Sequence, residues 1–153
     1  MTQTAALEDR QITLSRVLNA SPAKVWSCWT DPALIHRWFG PDGYSCVTKQ
    51  IDLVPGGQWR FDMIGPDGTV WPNRHRFTLY APMTRIEFLM DGDDDTTDPI
   101  QVVVTLTPEG AGTRLTQTMT LPTAEAKRGA LVYGADRLGL QTLGKLAAVA
   151  EAL

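Results

Sequence analysis

The sequence predicts an α+β domain in which a curved sheet of seven antiparallel strands holds a long C-terminal helix, with two short helices after the first strand. Three observations predict it. Between residues 45 and 121 apolar residues recur at every second position, in short runs divided by Gly-, Pro- and Asp-rich turns. Ahead of these runs stand two proline-headed helix starts, Ser21-Pro22 and Thr30-Asp31-Pro32. Behind them, Thr123 to Leu153 is rich in Ala and Leu and loses the strand period. Runs of strands flanked by helices mean an antiparallel sheet with its helices packed on one side.

In chain order, residues 1–10 are polar and aperiodic and are expected to form a disordered tail ahead of a single domain over 11–153. Gln11 to Leu18 alternates and is β-branched, as a strand requires. Ser21 caps the first helix, with Val25, Cys28 and Trp29 as its apolar face; Asp31-Pro32 opens a second, through Leu34, Ile35, Trp38 and Phe39, which Gly40-Pro41 stops. Strands are expected over Ser45–Val54, Gln58–Ile64, Thr69–Tyr80, Thr84–Met90, Ile100–Thr107 and Thr113–Leu121. Pro55-Gly56-Gly57, Gly65-Pro66-Asp67-Gly68, Ala81-Pro82-Met83 and Pro108 to Gly112 supply turns. Pro72 points to an irregular or edge beginning of its strand. In the last strand Thr116, Thr118 and Thr120 face solvent, while Leu115, Gln117, Met119 and Leu121 face inward.

The terminal segment carries Gly129, Gly134, Gly139 and Gly144 at five-residue intervals. A helical glycine costs about 1 kcal/mol relative to alanine, and close backbone approach to a sheet or ligand is its usual compensation. Read as one helix, it buries a stripe of Leu131, Ala135, Leu138, Thr142, Leu146, Val149 and Leu153. Gly134 and Gly139 border that stripe; Gly129 and Gly144 fall away from it.

A net charge of −3 gives no basic footprint for nucleic acid, and no run of eighteen apolar residues offers a membrane span. The first ten residues hold no apolar core ahead of a cleavage site, so a cytoplasmic protein with Cys28 and Cys46 reduced is expected. His36 and His75 are far apart, neither cysteine belongs to a C-x-x-C pair, and no metal or other cofactor is expected. The loop Asp91 to Asp98 begins like a calcium loop, but Thr96 and Val102 stand where glycine and glutamate are needed; a solvated, mobile hairpin loop is expected.

Arg16-Val17-Leu18-Asn19-Ala20-Ser21-Pro22, Val25-Trp26, Thr30-Asp31-Pro32, Trp38-Phe39-Gly40-Pro41, Thr113-Arg114-Leu115-Thr116 and Gln141-Thr142-Leu143 together resemble the activator-of-Hsp90-ATPase-homologue-like proteins of the START, or Bet v 1-like (SRPBCC), superfamily. The resemblance implies a helix-grip fold with a cavity between sheet and terminal helix. Many relatives carry a Gly-Trp pair in that helix where this chain has Gly139-Leu140, so no role of that tryptophan carries over.

The strongest functional pattern is aromatic. Trp59, Phe61 and Met63 on one strand should meet Phe77 and Leu79 on the next, and Ile86, Phe88 and Met90 beyond. These side chains either line an apolar site for a small molecule or fill the core. His75 shares the parity of Phe77 and either points inward, available as a hydrogen-bonding group or general base, or sits near an exposed strand start shifted by Pro72. Gln117 needs a partner, whether ligand, water or Arg16. Tyr133 either closes the cavity mouth with Trp38 and Phe39 or packs between helices, and Leu138 lies on the stripe beneath. The leading expectation is a non-enzymatic domain that binds a small hydrophobic molecule, lipid or aromatic polyketide-like. Behind it stand a cyclase- or dehydratase-like enzyme using His75 as acid–base, and a co-chaperone-like interaction module. Exposed apolar positions would also support a homodimer.

Overall fold

The computed structural model describes residues 6–153. The first half of the expected tail lies outside that range, and Leu7–Arg10 form a short 3-10 turn. After this turn come β1 (Gln11–Leu18), α1 (Pro22–Thr30), α2 (Pro32–Trp38), β2 (Ser45–Ile51), β3 (Gln58–Ile64), β4 (Val70–Ala81), β5 (Arg85–Asp91), β6 (Ile100–Glu109), β7 (Gly112–Thr120), α3 (Ala124–Tyr133) and α4 (Ala135–Glu151). The seven strands form one antiparallel sheet in the order β1-β7-β6-β5-β4-β3-β2. The long β1-to-β2 connection, which carries α1 and α2, thus spans the sheet from edge to edge.

Both inserted helices start as their sequences dictate. The Ser21 hydroxyl accepts from the Lys24 N–H at 3.3 Å, and the Asp31 carboxylate accepts from the Ala33 N–H at 2.8 Å. Asp31 ends α1 and begins α2 in an extended conformation (φ −96°, ψ 117°), which makes the corner between them. The corner is closed by the Trp38 indole N–H, which donates to the Cys28 carbonyl at 2.9 Å.

Two expectations fail for identifiable reasons. Leu79 does not share the inner face with Phe77. A bulge between Phe77 and Leu79 inserts an extra residue, so Leu79 pairs with Glu87 and is 36% exposed, while Tyr80 moves inward opposite Ile86. The terminal helix is not continuous. Gly134 takes a left-handed conformation (φ +95°), and its N–H reaches back to the carbonyls of Ala130 and Leu131, so α3 stops there. The break resets the helical phase. Leu131 is 40% exposed, and the buried stripe of α4 is Leu143, Leu146, Ala147 and Ala150. Gly139 continues that stripe, and a Cβ added there would run into Leu14 of β1, so this glycine marks the close helix–sheet approach.

The four glycines therefore separate by mechanism. Gly134→Ala should lower stability by about 1–2 kcal/mol, because alanine is strained in the left-handed region. Gly129 lies in α3 with open space around it, and Gly129→Ala should raise stability by about 0.5–1 kcal/mol. Urea unfolding midpoints of the two variants check this; equal signs would contradict it.

Candidate functional site

The inner face of the sheet is an aromatic layer. Trp59 and Phe61 are stacked along β3, with ring centroids 3.7 Å apart. Phe39, just beyond the end of α2, meets Trp59, Phe61 and His75 edge-on at 5.6, 5.5 and 4.8 Å. His75 stacks on Phe88 at 4.6 Å, and Phe77 lies tilted against Phe88. Trp38, Trp59, Phe61, His75, Phe77 and Phe88 are all buried, so the aromatic rings of the expected site occupy the interior beneath α1 and α2.

Open space begins where this cover ends. A cleft of about 600 Å³ lies at the end of the sheet, bounded by the start of β4, the β5–β6 loop, Pro41 and Tyr44 ahead of β2, and the α3–α4 junction. Of the expected residues, Met63, Met90, Tyr133 and Leu138 line it. Gln117 sits opposite Leu14 and Val104 on the inner face, half-buried, and does not line it. Tyr133 reaches the cleft mouth beside Tyr44, not beside Trp38 and Phe39. Partial burial first, and then the neighbouring Tyr133, hold the Tyr44 phenol above its usual pKa.

Trp71, Pro72, Asn73, Tyr44 and Ile100 also line the cleft and went unforeseen. A signal for the first three existed in the strand lengths. β4 has twelve residues and β5 seven, so Val70 to Asn73 overhang β5 and pair with β3 alone. Pro72 is tolerated in that half-paired stretch because it owes no ladder bond on its open side.

The acidic β5–β6 loop is not simply solvated. Asp91, with its side chain only 1% exposed, binds Arg74 at 2.8 Å and Arg76 at 3.0 Å and also accepts from the Asp93 N–H. Asp93 takes a bidentate bond from Arg60, and Asp95 pairs with Arg74 at 2.7 Å. Burial alone would raise the Asp91 carboxyl, but bonds from Arg74 and Asp93 and the charges of Arg74 and Arg76 outweigh it and bring it below the usual carboxylate range. The acids that suggested calcium are thus neutralised by arginines, and the described residues contain no metal-binding cluster.

His75 is the unusual group of the interior. Neither ring nitrogen has a hydrogen-bond partner among the described residues, and the side chain is fully buried. Burial pushes its pKa from 6.5 down to about 3, with only a small opposing pull from Asp91, so the imidazole is neutral at physiological pH. Neither cysteine is in a disulfide: burial raises the Cys28 thiol to about 11 and Cys46 to about 12, and the Cys46 thiol donates to the Phe39 carbonyl.

The sheet order and the C-terminal helix it grips define a helix-grip fold. The chain belongs to the family described as activator of Hsp90 ATPase homolog 1-like proteins, which it matches over residues 19–151. Among solved structures, a crystal structure of a Nitrosomonas europaea protein is 24% identical, with TM-score 0.85 over 94% of this chain and 96% of that one. A Mycobacterium smegmatis protein is 25% identical (TM-score 0.84, 99% and 98% covered). A protein from Arthrobacter aurescens, solved by NMR, is 23% identical (TM-score 0.86, 97% and 90% covered). No functionally curated protein matches the chain at a significant level. No helix among the described residues is long and apolar enough to cross a membrane.

Two outcomes are expected. The first concerns His75: below pH 6.5 the unfolded chain takes up a proton that the native ring refuses until about pH 3, so stability is lost as pH falls across that window. The loss attributable to this residue is about 1.4 kcal/mol per pH unit. Urea denaturation at pH 7 and pH 5 should show it in the wild type, and its His75 component should vanish in His75→Phe. Removing a buried ring with two unpaired nitrogens should itself stabilise by about 1 kcal/mol at pH 7. The second concerns the loop: Asp91→Ala takes the buried partner from Arg74 and Arg76, leaves Arg74 mainly to the exposed Asp95, and should cost about 2 kcal/mol, with faster amide exchange over residues 92–98. Unchanged exchange there would show that the ion pairs do not hold the loop.

Proposed function

We propose that this protein is a non-enzymatic binding domain that takes a small, largely apolar molecule into the cleft beside Met63, Met90 and Leu138. The observation that carries the proposal is the cleft's composition. About 600 Å³ falls within the range of small-molecule sites, and Met63, Trp71, Met90, Ile100 and Leu138 supply apolar walls while Tyr44, Asn73 and Tyr133 supply a few polar groups. Two methionines on adjoining walls suit an adaptable site, because thioether side chains repack around different shapes. Trp71 and Tyr133 remain partly exposed at the mouth, 47% and 64%, so a ligand covering them removes apolar surface from water.

The acid–base reading of His75 gains no support from its setting. A general base is usually oriented by a second group, whereas neither nitrogen of this ring has a partner among the described residues to hold its tautomer or its direction.

Thermal unfolding in the presence of fatty acids, sterols and aromatic polyketide-like compounds tests the binding role. A ligand at a hundred times its Kd should add about 2.7 kcal/mol of stability. Leu138→Trp, which fills the cleft, should abolish that gain. A shift that persists in the filled variant would place binding elsewhere, and no shift from any compound would defeat the proposal.

A further inference from the structure

Two features of the cleft constrain the chemistry of its ligand, given the binding role proposed above. The first is charge. The one acidic side chain free at the lining is Asp98, since Asp91 turns its carboxylate to the arginines behind the wall, and none of the described lining residues is Lys or Arg. Neighbouring cations are turned elsewhere: Arg74 and Arg76 hold Asp91, Lys145 donates to the carbonyls of Pro41 and Tyr44, and Arg137 beside Gly134 faces a separate groove with Asp42 and Asp136. A ligand carboxylate would lose its hydration here without gaining a counter-ion, a cost of several kcal/mol.

The second feature is His75. It follows Asn73 on the inner face of β4, one face-to-face step of about 7 Å along the strand, and its cross-strand neighbour on β5 is Met90. Asn73 and Met90 both line the cleft. The imidazole therefore stands directly beyond the cleft's inner wall, with both nitrogens unpartnered among the described residues. A neutral imidazole offers one donor and one acceptor, and a buried polar group left unpaired costs about 1–3 kcal/mol.

We propose that the cleft selects uncharged aromatic molecules bearing a hydroxyl or carbonyl group, which pairs with His75 when the flexible Met90 side chain moves aside for the ring. A hydroxyl would donate to the unprotonated nitrogen, and a carbonyl would accept from the other. The aromatic body fits the same place, since the rings already stacked on His75 and Trp59 present edges and faces to an incoming ring.

Calorimetric titration of the full chain at neutral pH with naphthalene, naphthol and naphthoate tests it, in the wild type and in His75→Phe. Naphthol should bind about tenfold more tightly than naphthalene in the wild type, the equivalent of one net hydrogen bond. That advantage should vanish in His75→Phe, and naphthoate should bind most weakly. The His75 ring nitrogen NMR signals should shift on adding naphthol and stay in place with naphthalene, a readout that holds even if the variant does not fold. Equal binding of naphthol and naphthalene, with unmoved ring signals, would remove His75 from the site while leaving the cleft as an apolar binding site. Naphthoate binding more tightly than naphthol would overturn the selection for uncharged ligands. If none of the three binds while a fatty acid or sterol still raises the thermal midpoint, the aromatic selection is overturned and the cleft's binding role stands.

Discussion

The rest of the structure depends on covering the aromatic layer of the sheet. Trp59, Phe61, Phe77 and Phe88 project from adjacent strands on one face, and each contributes about 2–3 kcal/mol only if water is excluded from it. Strand twist curves such a sheet, and no straight helix can cover a curved face alone. The chain answers with a corner. The Asp31 junction lets α1 and α2 lie at different angles, so that Trp29 contacts Phe88 while Phe39 reaches Trp59 and Phe61. The cover stops at Gly40, whose φ of +98° turns the chain away, and the cleft begins one residue later at Pro41. Its position is set by where α2 runs out.

The break at Gly134 acts at the opposite wall. A straight continuation of α3 would carry Val132 onto the face of the buried stripe of α4, whereas it is 90% exposed. With the helix interrupted, α3 packs on α4 and the 3-10 turn, buries none of its own residues, and brings Tyr133 to the cleft mouth. Lys145 of α4 meanwhile bonds the carbonyls of Pro41 and Tyr44, so the same helix that fills the sheet's concavity also fixes the loop opposite Tyr133.

Most of this architecture is legible in the sequence, and the exceptions are physical in origin. Proline-headed helices with Ser and Asp caps, and strands with strict alternation, announce themselves because the signal is local. The outward turn of Leu79 is not local: a bulge leaves the composition unchanged and reverses the parity of every later residue in its strand. Gly134 and Gly139 look alike in the chain, yet one needs its left-handed backbone and the other needs its missing Cβ, and only the path of α4 past Leu14 separates them. For the site, parity allowed His75 an inward position beside Phe77 and put Met63 and Met90 on the inner face. It could not say that the rings would close over one another while the overhang of β4 stayed open. That depends on the relative lengths of β4 and β5 and on pairing across the sheet. The ion pairs of the acidic loop were hidden for the same reason, since Arg60, Arg74 and Arg76 come from strands remote in sequence.

The end of β5 joins the two faces of the sheet. Met90 points inward to the cleft and stands beside His75, while Asp91, the next residue, points outward into the arginines of β4. A strand presents successive side chains to opposite faces, so fixing Asp91 from outside also fixes the backbone that presents Met90 inside. Arg74 is engaged by both Asp91 and Asp95, which ties the loop on the cleft's rim to the strand on its floor. The side chains of the cleft are therefore soft while its frame is rigid. Thioethers can move to admit a ring, but the β4 overhang and the β5–β6 loop that carry them are held by buried charge. In such an arrangement shape tolerance and polarity have different sources: the methionines accept varied outlines, and the scarcity of cations together with one neutral histidine decides what kind of polar group a guest can bring.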